Sequence, residues 1–131
     1  MYITAASAIS PQPVFRQHEL LKNPLELTGN RYTCAEPDYT QLIEPKLIRR
    51  MSRIIRMGVA TAMDALKQAD LQDPAAILTG TAYGCLEDTG IFLKRMVENG
   101  EEMLTPTAFI QSTHNTVGAQ VALLLKCHAY N

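Results

Sequence analysis

The thiols and imidazoles of this chain, the side chains best suited to nucleophilic or metal chemistry, are few and widely spaced. They are Cys34, Cys85, Cys127, His18, His114 and His128. Cys85 follows Gly84 at the expected start of a helix, and a helix N-terminus lowers a thiol pKa and favours a nucleophile. Cysteine is also among the most often buried residue types, so we interpret Cys85 as a small apolar side chain packed under a turn.

This spacing argues against a metal site, a disulfide framework and a paired nucleophile and base. Three cysteines are an odd number, and they form no Cys-x-x-Cys clip. Cys127 and His128 are adjacent, which is the wrong geometry for a contacting pair on a helix. A zinc site would require tertiary structure to gather the cysteines and a histidine. We therefore predict no metal and no organic cofactor.

Two short polar segments are further candidates. Residues 111–115 contain His114 beside Ser112, Thr113 and Asn115, and we interpret them as helix capping and polar packing rather than as a general base. Residues 80–84 form a glycine-flanked turn without the spacing of a phosphate-binding loop or a dinucleotide fingerprint. We interpret this turn as structural, although the carboxyl end of a strand is a common place for ligand contacts in α/β sheets.

A cluster of four arginines lies in the first half of a predicted helix: Arg49, Arg50, Arg53 and Arg56. Acidic neighbours are few, because between Gln41 and Pro45 only Glu44 is acidic. Two interpretations remain open. The cluster is either the solvated face of a half-exposed helix or a site for a phosphate or an acidic partner, contacts for which arginine is well suited.

The composition indicates one globular domain and excludes several classes of protein. The chain has 131 residues, of which 47% are apolar and 19% charged, and a net charge of -1. That charge disfavours non-specific nucleic-acid binding, and the lack of tryptophan disfavours a base-stacking surface. No apolar run is long enough to span a membrane, and the first residues do not resemble a signal peptide. With unpaired cysteines, these features predict a cytoplasmic protein.

Hydrophobic patterning predicts alternating strands and helices. The predicted elements are a strand over 2–9, a loop-rich segment over 14–44, a long helix over 45–70, a strand over 75–81, a helix over 86–98, and a short and a longer helix over 107–125. The long helix should be half exposed in its first half and deeply buried in its second, which is rich in small residues. This order predicts an α/β fold. We expect residues 1–131 to form a single, incomplete domain.

Three segments together resemble the N-terminal half of β-ketoacyl-acyl-carrier-protein synthases. Residues 45–53, with the alanine-rich residues 58–66, are similar to the basic opening and second half of the family's long helix. Residues 76–84 look like the next strand and its glycine turn. Residues 104–120 look like a Ser-Pro-Thr-x-Phe…His-Asn…Gly stretch, with Leu104-Thr105-Pro106 at its start.

The resemblance implies a thiolase-like, layered α/β fold and an acyltransferase activity. Such enzymes condense an acyl thioester with malonyl-acyl carrier protein in fatty-acid, polyketide or polyene synthesis, through a cysteine nucleophile and two histidines. The expected nucleophile lies beyond Asn131, so no catalytic residue is expected within the chain, and whether it acts as an enzyme stays open. Tyr83 is similar to a residue that lines the acyl pocket, and Ala108 and Phe109 to the segment that reaches the partner subunit's pocket.

The resemblance also implies the partners. Acyl carrier protein would contact Arg49, Arg50 and Arg53, and the chain would form a homodimer or a synthase heterodimer. Two alternatives to a synthase fragment remain open, namely a non-catalytic subunit of the chain-length-factor type and a stand-alone binding domain.

Overall fold

Helices provide almost all of the regular structure. The computed structural model describes residues 2–17 and 22–130, so that His18 and Asn131, both considered above, lie outside the described residues. The elements are a 3₁₀ helix (Tyr39–Gln41), α1 (Pro45–Ile48), α2 (Arg53–Gln68), α3 (Leu86–Glu98), α4 (Pro106–Ser112) and α5 (Thr116–Leu125). The helix predicted over 86–98 is confirmed as α3, and the pair predicted over 107–125 is confirmed as α4 and α5.

The single helix predicted over 45–70 is wrong, because α1 and α2 are separated by a turn at residues 49–52. In this turn the Arg50 and Met51 amides donate to carbonyls three residues earlier, at 3.0 and 3.1 Å. Met51 is buried in the core, and Ser52 adopts an extended conformation at the N-cap of α2. The Ser52 hydroxyl makes no capping hydrogen bond to the helix. The hydrophobic spacing continues through the break because the turn keeps Met51 on the buried side.

Burial along α2 also differs from the prediction. Its buried residues are Ile55, Val59, Ala60 and Asp64, which occupy the middle of the helix, whereas the last turn is exposed at Lys67 and Gln68. The prediction of a deeply buried second half is therefore wrong at the C-terminal end. Ala62, Ala65 and Leu66 line an open apolar groove of about 390 Å³ instead of a closed core.

The predicted strands over 2–9 and 75–81 form no ladder among the described residues. The β structure there is one isolated parallel bridge between Ala76 and Tyr130, in which the Ile77 amide donates to the Tyr130 carbonyl at 2.8 Å. A strand requires a neighbour that pairs with it over several residues, and neither segment has one in this part of the chain. The helices of the predicted α/β fold are present, and its sheet stays a prediction.

The core lies where α2 meets α5 and the 3₁₀ helix. Its buried residues are Tyr39, Ile43, Met51, Ile55, Val59, Ala60, Cys85 and Val121. A second contact joins α3 to α4 through the rings of Phe92 and Phe109. None of the helices in residues 2–17 and 22–130 is both long and apolar enough to cross a membrane.

Candidate functional site

Three glycines bring the segments around α2, residues 76–84 and α5 into close contact. A Cβ placed on Gly58 of α2 would lie 2.5 Å from a methyl group of Val117 in α5. A Cβ on Gly118 would lie 2.7 Å from the Thr79 hydroxyl, and one on Gly84 would lie 3.3 Å from the Cβ of His114. A side chain at Gly58 or Gly118 would force the neighbouring side chain to move, and one at Gly84 would require a smaller shift of His114, so the glycines allow the close spacing of the three segments.

The turn at residues 80–84 places Tyr83 at the surface. Gly84 has a φ of +57°, in the left-handed region that glycine adopts without strain, and its amide donates to the Thr81 hydroxyl at 3.0 Å. Tyr83 is 81% exposed. The interpretation of this segment as a turn is confirmed. The glycine that adopts the left-handed conformation is Gly84, whereas Gly80 does not.

Helix α4 contains Ala108 and Phe109. Thr105 caps the helix, since its hydroxyl accepts a hydrogen bond from the Ala108 amide at 3.3 Å. The Phe109 ring lies 5.8 Å from that of Phe92, although Phe109 remains 57% exposed. No ring contact or hydrogen bond joins Tyr83 to Ala108 or Phe109 among the described residues, so their grouping at one acyl-binding region stays a prediction.

Residues 111–116 form a group of hydroxyls that caps α4 rather than α5. Ser112 and Thr113 donate to the carbonyls of Phe109 and Ile110 at 2.7 and 2.9 Å. Buried Thr116 also donates to the Ile110 carbonyl, whereas Asn115 makes no side-chain cap to α5. Polar packing was therefore predicted correctly, but it satisfies the carbonyls at the end of the preceding helix.

Cys85 lies at the N-cap of α3 and is 3% exposed. Burial raises the pKa of its thiol, and the charge of Asp88 raises it further. Both effects oppose formation of the thiolate, the form that reacts as a nucleophile. The interpretation of Cys85 as a buried apolar residue is confirmed.

We expect Cys85 to be alkylated by iodoacetamide at least about tenfold more slowly in the native chain than in urea, because reaction requires opening of the core. Mass spectrometry of peptides after timed reaction measures this rate. Half-buried Cys34 is the internal reference and should react first. Equal native rates at the two residues would contradict the buried assignment.

The arginine cluster divides into paired and exposed members. Arg53 donates to the Glu36 carboxylate at 2.5 Å, and the Arg56 guanidinium lies 5.7 Å from the centre of the Tyr39 ring. The acidic partner of Arg53 is not local, because Glu36 lies upstream of residues 41–45. Arg49 and Arg50 are exposed and form no ion pair with any residue of the described ranges. They are the members free to meet an acidic partner.

Asp64, a buried carboxylate that was not predicted from the sequence, joins three parts of the chain. Its oxygens accept hydrogen bonds from Arg16 at 2.8 Å, Ser7 at 2.8 Å and Gln68 at 2.7 Å. Burial acts most strongly and favours the protonated form, but the hydrogen bonds and the Arg16 charge outweigh it and hold the pKa of Asp64 below its usual value. One signal was present in the sequence, since Asp64 lies four residues after Ala60 on the buried face.

The described residues contain no group of three or more histidine, cysteine or acidic side chains placed to hold a metal ion. Comparison with protein-family models and with curated proteins returns no match for this chain.

Proposed function

We propose that this chain is the N-terminal portion of a β-ketoacyl-acyl-carrier-protein synthase. It contributes a surface for the carrier protein and part of the acyl-binding region, and it holds none of the catalytic residues. The observation that carries the proposal is the meeting of the three resembling segments at Gly58, Gly84 and Gly118. Segments that resemble one family in sequence also pack closely against one another at these glycines, which supports the proposal.

The properties of the described residues are consistent with a chain that binds the carrier protein and part of the acyl group but supplies no catalytic residue. Cys85 is buried with a raised thiol pKa, so it is unsuited to accept an acyl group. Tyr83 and Phe109 are exposed aromatic side chains that could contact an acyl chain. The three cysteines are free thiols, and the proposal places the chain in a reducing cytoplasm, where thiols stay reduced.

Carrier-protein docking would use Arg49 and Arg50. Both are exposed, and they lie directly before the N-terminus of α2, which adds partial positive charge. No acidic residue occurs in the first turn of α2 to offset this charge. An acidic partner would therefore find guanidinium groups that need not first break an ion pair.

We expect the Arg49→Glu/Arg50→Glu variant to bind acyl carrier protein at least about tenfold more weakly than the parent chain, because two attractive contacts become repulsive. Fluorescence anisotropy of a labelled, octanoylated carrier protein measures the affinity. Binding to the parent chain should also weaken as salt rises.

The matched control is Lys94→Glu/Arg95→Glu, which makes the same charge change on the exposed side of α3. It should bind like the parent chain. An equal loss of affinity in both variants would mean that binding depends on the net charge of the chain and not on the surface at Arg49 and Arg50. Undetectable binding of the carrier protein to the parent chain would overturn the docking proposal.

The dimer implied by the resemblance predicts self-association of the purified chain. Large apolar side chains are exposed at Leu78, Val97 and Met103, by 85%, 81% and 90%. Such exposure favours association. Light scattering coupled to size-exclusion chromatography should give a mass above 14.5 kDa that rises with concentration. A stable monomer would instead favour a stand-alone binding domain.

A further inference from the structure

A cleft separates the N-terminal segment from the C-terminal half of α2. Its volume is about 810 Å³, within the range typical of small-molecule sites. Its apolar wall contains Ala6, Ala8 and Val14, and its polar groups include Arg16, Lys67 and Gln68. A mostly apolar wall with a few converging polar groups is the usual composition of a ligand site.

The Arg16 guanidinium is held in position at this cleft. Its Nε donates to Asp64 at 2.8 Å and its Nη1 donates to the Gln41 side chain at 3.1 Å. The Phe15 ring lies 5.5 Å from its central carbon. These bonds use two of the five N–H groups of the guanidinium and leave three to bind a ligand. One third of the side chain is exposed, so a ligand can reach it.

The ion pair orients the guanidinium as well as stabilising the fold. The Asp64 side chain is only 4% exposed, whereas one third of the Arg16 side chain is exposed, so the buried carboxylate fixes a guanidinium that a ligand can still reach. Arg16 also has a φ of +57°, a conformation that non-glycine residues rarely adopt. Asp64 at the wall of the cleft therefore positions the Arg16 guanidinium in addition to holding the N-terminal segment on α2.

The charges that line the cleft select the class of ligand. In the described lining Arg16 and Lys67 are positive and Asp64 is negative, which leaves one net positive charge. A guanidinium presents parallel donors that match a carboxylate. We propose that this cleft binds a small monocarboxylate with a short apolar tail, its carboxylate on Arg16 and its tail against Ala8 and Val14. This site is separate from the carrier-protein surface at Arg49 and Arg50.

Saturation-transfer NMR of the full chain with butyrate tests the proposal, with butyramide as the neutral ligand of the same shape. Butyrate should bind and butyramide should bind at least about tenfold more weakly, because charge-assisted hydrogen bonds are lost. Arg16→Gln should weaken butyrate binding by a similar factor. Lys67→Gln should weaken it about threefold, because Lys67 is exposed and screened. Lys94→Gln, on the exposed side of α3, should leave it unchanged.

A second variant keeps the test decisive if Arg16→Gln fails to fold. Ala8 is exposed and lines the cleft, so Ala8→Phe should cover the apolar wall proposed to receive the tail, without disturbing the core, and should weaken butyrate binding at least about tenfold. The proposal is overturned if the parent chain binds neither compound, if it binds both equally, or if folded Ala8→Phe binds butyrate like the parent chain.

Discussion

The Asp64→Ala variant is expected to lose about 2–3 kcal/mol of unfolding free energy, the largest effect of any single substitution considered for this chain. Arg16, Ser7 and Gln68 would each lose a hydrogen bond of 2.7–2.8 Å to the same carboxylate. The cost stays below that of a fully buried ion pair, because one third of the Arg16 side chain is exposed and water can solvate it. Urea unfolding followed by circular dichroism measures the change.

Asp73→Ala is the matched control for this experiment. Asp73 is exposed, so its removal should change stability by less than about 0.5 kcal/mol. Asp64→Asn should fall between the two, since one amide oxygen can still accept a hydrogen bond while the charge is lost. If Asp64→Ala were as stable as Asp73→Ala, the carboxylate would not be what holds the N-terminal segment on α2.

The contribution of Asp64 should depend on pH in a defined direction. Because its pKa is lower in the folded than in the unfolded chain, the unfolded state takes up the proton more readily, and stability rises with pH. The stability difference between the parent chain and Asp64→Ala should be fully present above the usual carboxyl pKa of 3.8. It should decline as the pH falls through the lower value of the folded state.

The Gly58→Ala variant should be destabilised by about 1–2 kcal/mol, although alanine is intrinsically the better helix former. The new Cβ would lie 2.5 Å from a methyl group of Val117 on α5. Valine in a helix has one strongly preferred χ1 rotamer, so its methyl group cannot easily turn away and the two helices must separate. Thermal or urea unfolding detects the loss.

Two further variants test the cause of this effect. Gly90→Ala changes a glycine inside α3 that has nothing within 4 Å of the added Cβ, and it should stabilise the chain by about 0.5–1 kcal/mol. Val117→Ala combined with Gly58→Ala should recover part of the loss, giving a favourable coupling energy in a double-mutant cycle. Additive single effects would mean that α2 and α5 do not meet at this point.

Local patterns were sufficient for the elements that local interactions form. Apolar spacing predicted α3 and the short and longer helices that correspond to α4 and α5, and the two glycines predicted a turn over 80–84. The same spacing failed at residues 49–52, since a tight turn that returns Met51 to the core preserves the periodicity of a continuous helix. Strand propensity at residues 75–81 predicted a sheet, but a strand also needs a partner, which propensity does not report.

The sequence by itself determined the positions of the later helices, because helix formation depends mainly on neighbours within a few residues. The burial of Cys85 followed from its residue type. The tertiary structure decided which charges are satisfied. Arg53 meets Glu36 across 17 residues, and Asp64 meets Arg16 across 48 and Ser7 across 57. The spacing of residues along the chain does not predict such pairs, because they form only when packing has brought distant segments together. Arg49 and Arg50 as exposed cations, and Arg16 as an oriented one, are consequences of that packing.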